Sequence, residues 1–131
     1  MKYNDLTLYE LEEYSDEKYK RFATITGRFF RLDIKKNTIK ELKQSCKVSN
    51  CINGKGEKSY YIVSLGKKGR EAHIVLANKF IPKPKNPNNE KLVVHHRDGN
   101  KYNNHINNLI WLTYSQHSYV HNVEKIVKEY K

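Results

Sequence analysis

The chain has 131 residues, 37% hydrophobic and 30% charged, with 25 Lys and Arg against 14 Asp and Glu for a net charge of +11. That length fits one domain, or two small ones sharing a core, and no apolar run approaches the roughly eighteen residues a membrane helix needs, which excludes a transmembrane segment. Met1 is followed by polar and acidic residues, not by a basic patch and an apolar stretch, so no secretory signal is visible and the expected address is the cytoplasm.

Residues 3–14 set Tyr3, Leu6, Tyr9, Leu11 and Tyr14 among acids, a mixed pattern that reads as a short helix or an irregular lead-in. From Tyr19 to Ile39 the pattern changes: Phe22, Thr24 and Thr26 run into Gly27, then Phe29, Phe30 and Leu32 lead to Asn37, which predicts short strands punctuated by turns. A turn-rich stretch, 49–56, precedes a strand over 59–65, and Gly66-Lys67-Lys68-Gly69 makes a hairpin-type turn with two cations at its tip. Residues 72–81 predict a short buried helix stopped by Pro82 and Pro84, and 82–90 read as a linker. A strand then runs from Lys91 into His95 and His96 and a loop rich in Asn and Gly. Residues 106–112 turn into a second strand, and Thr113 or Ser115 caps a final helix carrying His117 and His121. Leu92, Val93, Val94, Leu109 and Trp111 are expected in the core.

The charge is segregated. Residues 1–17 hold one Lys against six acids, residues 18–85 eighteen Lys and Arg against four acids, and residues 86–131 six against four. A concentrated cationic body marks a polyanion partner, by counterion release and steering. An anionic membrane would ask for a basic amphipathic helix, whereas these cations lie on strands and turns, so nucleic acid is the expected partner. The candidate contacts are Arg28, Arg31, Lys35, Lys36, Lys67, Lys68, Arg70 and Arg97. Cys46 and Cys51 are too few for a disulfide scaffold. A structural zinc site wants four ligands, and no second cysteine pair completes one.

The string Val93-Val94-His95-His96-Arg97-Asp98-Gly99-Asn100-Lys101, with Asn103, Asn104, Asn108, Leu109 and Trp111 following and His117 on a helix, resembles the HNH endonucleases, closest to their homing-type and phage branch. A weaker resemblance extends upstream to the helix at 72–81. The resemblance implies an α+β fold, with a small strand-rich DNA-binding region over 1–85 and a ββα-metal (His-Me finger) nuclease motif over 86–131. It implies His96 as general base, Asn108 as the residue holding the base loop, and His95 and His117 as ligands of one divalent metal. It also implies double-stranded DNA as substrate, and a host cytoplasm if the chain is phage-encoded.

The chemistry can be argued from the residues as well. Hydrolysing a phosphodiester needs a deprotonated water, stabilisation of charge on the phosphate and help for the departing 3′ oxygen. Histidine, mostly neutral near pH 7, suits the first task. Two imidazoles suit Mn, Co, Ni or Zn better than Mg, although phosphate oxygens and water leave Mg open. His121, one helical turn beyond His117, is a competing ligand, and Asp98 another, although Asp98-Gly99-Asn100 reads as a turn. His73 and His105 read as structural or DNA-facing. One site per chain predicts nicking, with the oligomeric state open. The rivals are a catalytically silent DNA-binding module and a zinc-stabilised nucleic-acid-binding protein using Cys46 and Cys51.

Overall fold

Asn4 and Asp5 both take left-handed backbone angles, φ 47° and 67°, the conformation that a two-residue hairpin loop demands and that Asn and Asp tolerate. They fold β1 (Lys2–Tyr3) onto β2 (Leu6–Thr7), and β3 (Tyr9–Glu10) follows. The amino-terminal segment is thus neither a helix nor a loose lead-in, apart from a single 3-10 turn at Glu12–Tyr14. Leu8 and Leu11 are each 2% exposed, so this segment belongs to the core.

The structure is a computed structural model and describes residues 1–49 and 58–120. β3 pairs with β4 (Tyr19–Ala23), which continues through β5 (Phe29–Asp33) to β6 (Thr38–Glu41) in an antiparallel four-stranded sheet. Gly27 and Asn37, at φ 93° and 53°, lie in the turns from β4 to β5 and from β5 to β6. Opposed pairs set its faces: Ala23 opposite Phe29 on one, Phe22 opposite Phe30 on the other. Phe22, Phe30 and Leu8 form a small cluster with Tyr3 and Leu6, so the first hairpin covers that face.

A second sheet joins β7 (Gln44–Ser49), β8 (Lys58–Ser64) and β9 (Gly69–Glu71). The turn-rich 49–56 stretch and Cys51 lie outside the described residues, apart from the backbone of Ser49. β9 runs into α1 (Ala72–Phe80), which buries Ala72, Val75, Leu76 and Ala77. Ile81 leaves the helix in an extended conformation, as the residue before a proline must. After the linker, β10 (Leu92–His96) and β11 (Leu109–Thr113) form a separate antiparallel hairpin, followed by helical residues 114–120. No described helix is long and apolar enough to cross a membrane.

The larger core joins these parts. Ala23 and Phe29 from the first sheet, Val63 and Leu65 from β8 and its turn, Val75 and Leu76 from α1 and Leu109 from β11 form one cluster. The architecture is mixed α+β. Leu109 and Trp111 are buried as expected, and Val94 packs against the cluster, but Leu92 and Val93 are only half-buried. They line an open cleft of about 590 Å³ between α1 and the linker, because a two-stranded hairpin leaves the start of its edge strand partly uncovered.

Candidate active site

β10 ends in two histidines, and the strand's alternation sends them to opposite faces of the hairpin. His96 shares a face with Leu109 and Trp111, turned towards α1, and is 7% exposed. Its ring lies 5.2 Å from that of His73 on α1, and its Nε2 is 2.8 Å from Asn104 Oδ1. His95 stands on the other face, its ring 5.5 Å from the ring of His117.

His117 is presented by a helix with a defined start. Thr113 Oγ1 accepts from Gln116 N at 3.2 Å, and Gln116 Oε1 accepts from Thr113 N at 2.9 Å. This is a capping box, in which two donors at the helix end are satisfied reciprocally. Ser115 also donates from its hydroxyl to Glu90, tying the helix to the linker.

The loop between the hairpin strands is held by amides. Asn108, 9% exposed, accepts from Asp98 N at 3.0 Å and donates through Nδ2 to Asp98 Oδ1 and Asn103 O, both at 2.9 Å. Its own carbonyl accepts from Arg97 N at 2.8 Å. Asp98 Oδ1 also accepts from Asn100 N at 2.8 Å, and Gly99 takes φ 75°, so Asp98-Gly99-Asn100 is a turn. The Asn103 amide, then the Asn100 N–H and the Asn108 amide, hold the Asp98 carboxyl below the usual range. That carboxylate is already engaged inside the loop. His105 accepts from Asn107 N through Nδ1 at 3.1 Å, a structural cap.

Burial, with His96 and Lys101 adding to it, pushes His73 down to about 4, so it is neutral near pH 7. Among the described residues no group of three or more His, Cys, Asp or Glu side chains gathers to hold a metal. The His95 and His117 pair fits part of a shell: two imidazoles converge from a strand and a facing helix, and water or phosphate oxygens would have to supply the rest. A closed four-ligand zinc site is not formed by the described residues, where Cys46 is exposed. His121 lies outside them.

The cations divide into two kinds. Lys67 and Lys68 stand exposed on the turn between β8 and β9, Lys35 and Lys36 on the turn between β5 and β6, and Arg97 follows His96 into solvent. Arg28 forms a bidentate pair with Glu41 at 2.8 and 2.6 Å. Arg31 lies 4.3 Å over the Tyr19 ring and Arg70 5.6 Å over that of Tyr14. Arg31 and Lys67 share a shallow depression with Lys18, but Asp16 and Glu17 line it too.

Two residues in contact with His96 went unassigned in the sequence. The sequence reads His73 only as structural or DNA-facing. Asn104 stands in the Asn103-Asn104 pair of the motif, yet no spacing rule says which amide of an Asn-rich loop meets the histidine.

Residues 70–119 match the family model for HNH endonucleases. A protein of Acanthamoeba polyphaga mimivirus described as an uncharacterized HNH endonuclease is 33% identical over 101 residues, 68% of this chain. The match spans 29% of that relative's own length. No solved structure matches the chain significantly.

Proposed function

We propose, for a chain that belongs to the HNH endonuclease family through residues 70–119, that it is a metal-dependent endonuclease of the homing type that nicks double-stranded DNA. The reading is carried by the division of labour at the end of β10, where His96 meets an amide in the core and His95 meets a helix-borne histidine. In this reading β10, β11 and the helix of residues 114–120 are a ββα-metal finger, and the cationic body of residues 18–85 holds the duplex.

His96 takes a proton from the attacking water as the new O–P bond forms, and the bond to the 3′ oxygen breaks on the opposite side of phosphorus. The products carry 5′-phosphate and 3′-hydroxyl ends. Asn108 keeps the loop closed on Asp98 so that the backbone following His96 stays fixed. A divalent ion held by His95 and His117 would supply the positive charge that the phosphate and the departing oxygen need. Manganese, matched to imidazole and oxygen donors together, is expected to support at least as much cleavage as magnesium.

The test is a supercoiled-plasmid assay in Mg or Mn, with His96→Ala alongside and DNA affinity measured for both by gel shift. Wild type nicks, the variant binds equally well and loses about 100-fold or more of the rate, and EDTA stops cleavage while the protein stays folded. Binding without cleavage by both proteins would reduce the chain to a DNA-binding module. Stoichiometric zinc with unfolding by chelator would replace the metal assignment.

A further inference from the structure

A general base needs one ring nitrogen free of hydrogen, and the hydrogen bond at the other nitrogen decides which one that is. His96 has only one hydrogen-bond partner for its ring among the described residues, the side-chain amide of Asn104 at 2.8 Å from Nε2. Both side chains sit out of solvent, at 7% and 5% exposure. An amide oxygen accepts and cannot donate, so with Oδ1 facing the ring, Nε2 carries the hydrogen and Nδ1 keeps its lone pair.

Asn104 has a second side-chain amide for a neighbour across Gly27. Asn104 Nδ2 and Gln44 Oε1 are both buried without a partner, one a donor and the other an acceptor. Both flank the same glycine: Gln44 Nε2 donates to Gly27 O at 2.9 Å, and Gly27 packs directly against Asn104.

Asn104 is also fixed from behind. A Cβ on Gly27 would meet Asn104 Cβ and O at 3.0 Å, so only a glycine lets this turn approach so closely. Ile106 N donates to Ile25 O at 3.0 Å, pinning the same loop to the same turn. The first sheet, remote from the motif in sequence, thereby sets the position of the amide.

We propose that Asn104 is the positioning residue that holds His96 in its Nε2–H tautomer and leaves Nδ1 as the basic atom, with the turn at Gly27 as its backstop. This rests on His96 being the base. Its test begins with a readout that needs neither DNA nor metal: long-range proton–nitrogen NMR of the histidine rings in the full chain, at a pH where His96 is neutral. His96 is expected as the Nε2–H tautomer in wild type and in Asn104→Asp, whose carboxylate accepts the same hydrogen, and as a mixture in Asn104→Leu.

An Nδ1–H tautomer in wild type overturns the proposal, even if every variant fails to fold. An unchanged tautomer in a folded Asn104→Leu overturns it equally. In the plasmid assay Asn104→Leu should lose roughly tenfold or more in nicking rate with DNA affinity unchanged, and Asn104→Asp should recover part of that loss. A protein that shows the predicted tautomers yet cuts nothing would sink the nuclease reading and leave the geometry standing.

Discussion

His73 sits against His96 on one side and against the Tyr60 ring at 5.9 Å on the other, with Lys101 also bearing on it. Burial is the larger cause of its depressed pKa, because a half-hydrated imidazolium there would have little to replace its lost water. Above pH 6.5 neither the folded nor the unfolded chain protonates this ring. Between 6.5 and about 4 the unfolded chain takes up a proton that the folded one refuses. Stability is therefore expected to fall as pH drops through that window and to stop falling on this account below it, by about 3 kcal/mol in all. His73→Phe should flatten this part of the profile while leaving stability at pH 8 within about 1 kcal/mol. Urea melts of both proteins across the window decide it, and parallel profiles would show that His73 is not the group responsible.

At the scale of elements, the helix of residues 114–120 matters because it brings His117 to His95, and its first turn hangs on the reciprocal bonds of Thr113 and Gln116. Thr113→Ala removes the cap and should cost about 1 kcal/mol. The same change loosens the strand-to-helix corner, so the metal concentration for half-maximal nicking should rise while DNA affinity holds. A stability loss without any change in metal dependence would mean that the helix start and the histidine pair are uncoupled. The cap was legible in the sequence, as were the strands of 19–41, whose alternation is broken by Gly27 and Asn37, and α1, closed by Pro82. Strands of two residues leave no alternation to read, which hid the pairing of residues 2–10. Only the Asn4-Asp5 loop gave a local sign of it. The partner of His96 was hidden for another reason. Contacts across a loop depend on how its turns close, and Asn103 and Asn104 look alike until Gly27 is seen behind one of them.

Over the whole molecule, the four-stranded sheet would, on the proposed reading, link catalysis at one end to DNA binding at the other. One end, the turn of residues 24–28, touches Asn104 and Ile106. The other end, where Ile34 N donates to Lys18 O at 3.0 Å, carries Lys35 and Lys36 and lies beside Lys67. A five-residue strand covers about 17 Å, or about five base pairs at 3.4 Å each, so a duplex cut at His96 can also meet lysines at the far end. Asp16 and Glu17 stand at that end too. The Tyr19 and Lys18 N–H groups, then Arg21, hold the Asp16 carboxyl below its usual range, so it opposes phosphate at neutral pH. Arg31, half-buried and stacked on Tyr19, is a poorer contact than the exposed pair on the turn of β8 and β9. Replacing Lys67 and Lys68 together by Ala should therefore weaken DNA binding and lower the slope of log affinity against log salt by about 1 to 2, from about 50 to 200 mM. The nicking rate at saturating DNA should not change, because Lys67 lies beside Lys18 and Tyr19, at the end of the sheet away from the turn that meets Asn104. An unaltered salt slope would take this turn out of the interface, and a fall in the saturated rate would mean that the far end of the sheet helps set the geometry of the cut.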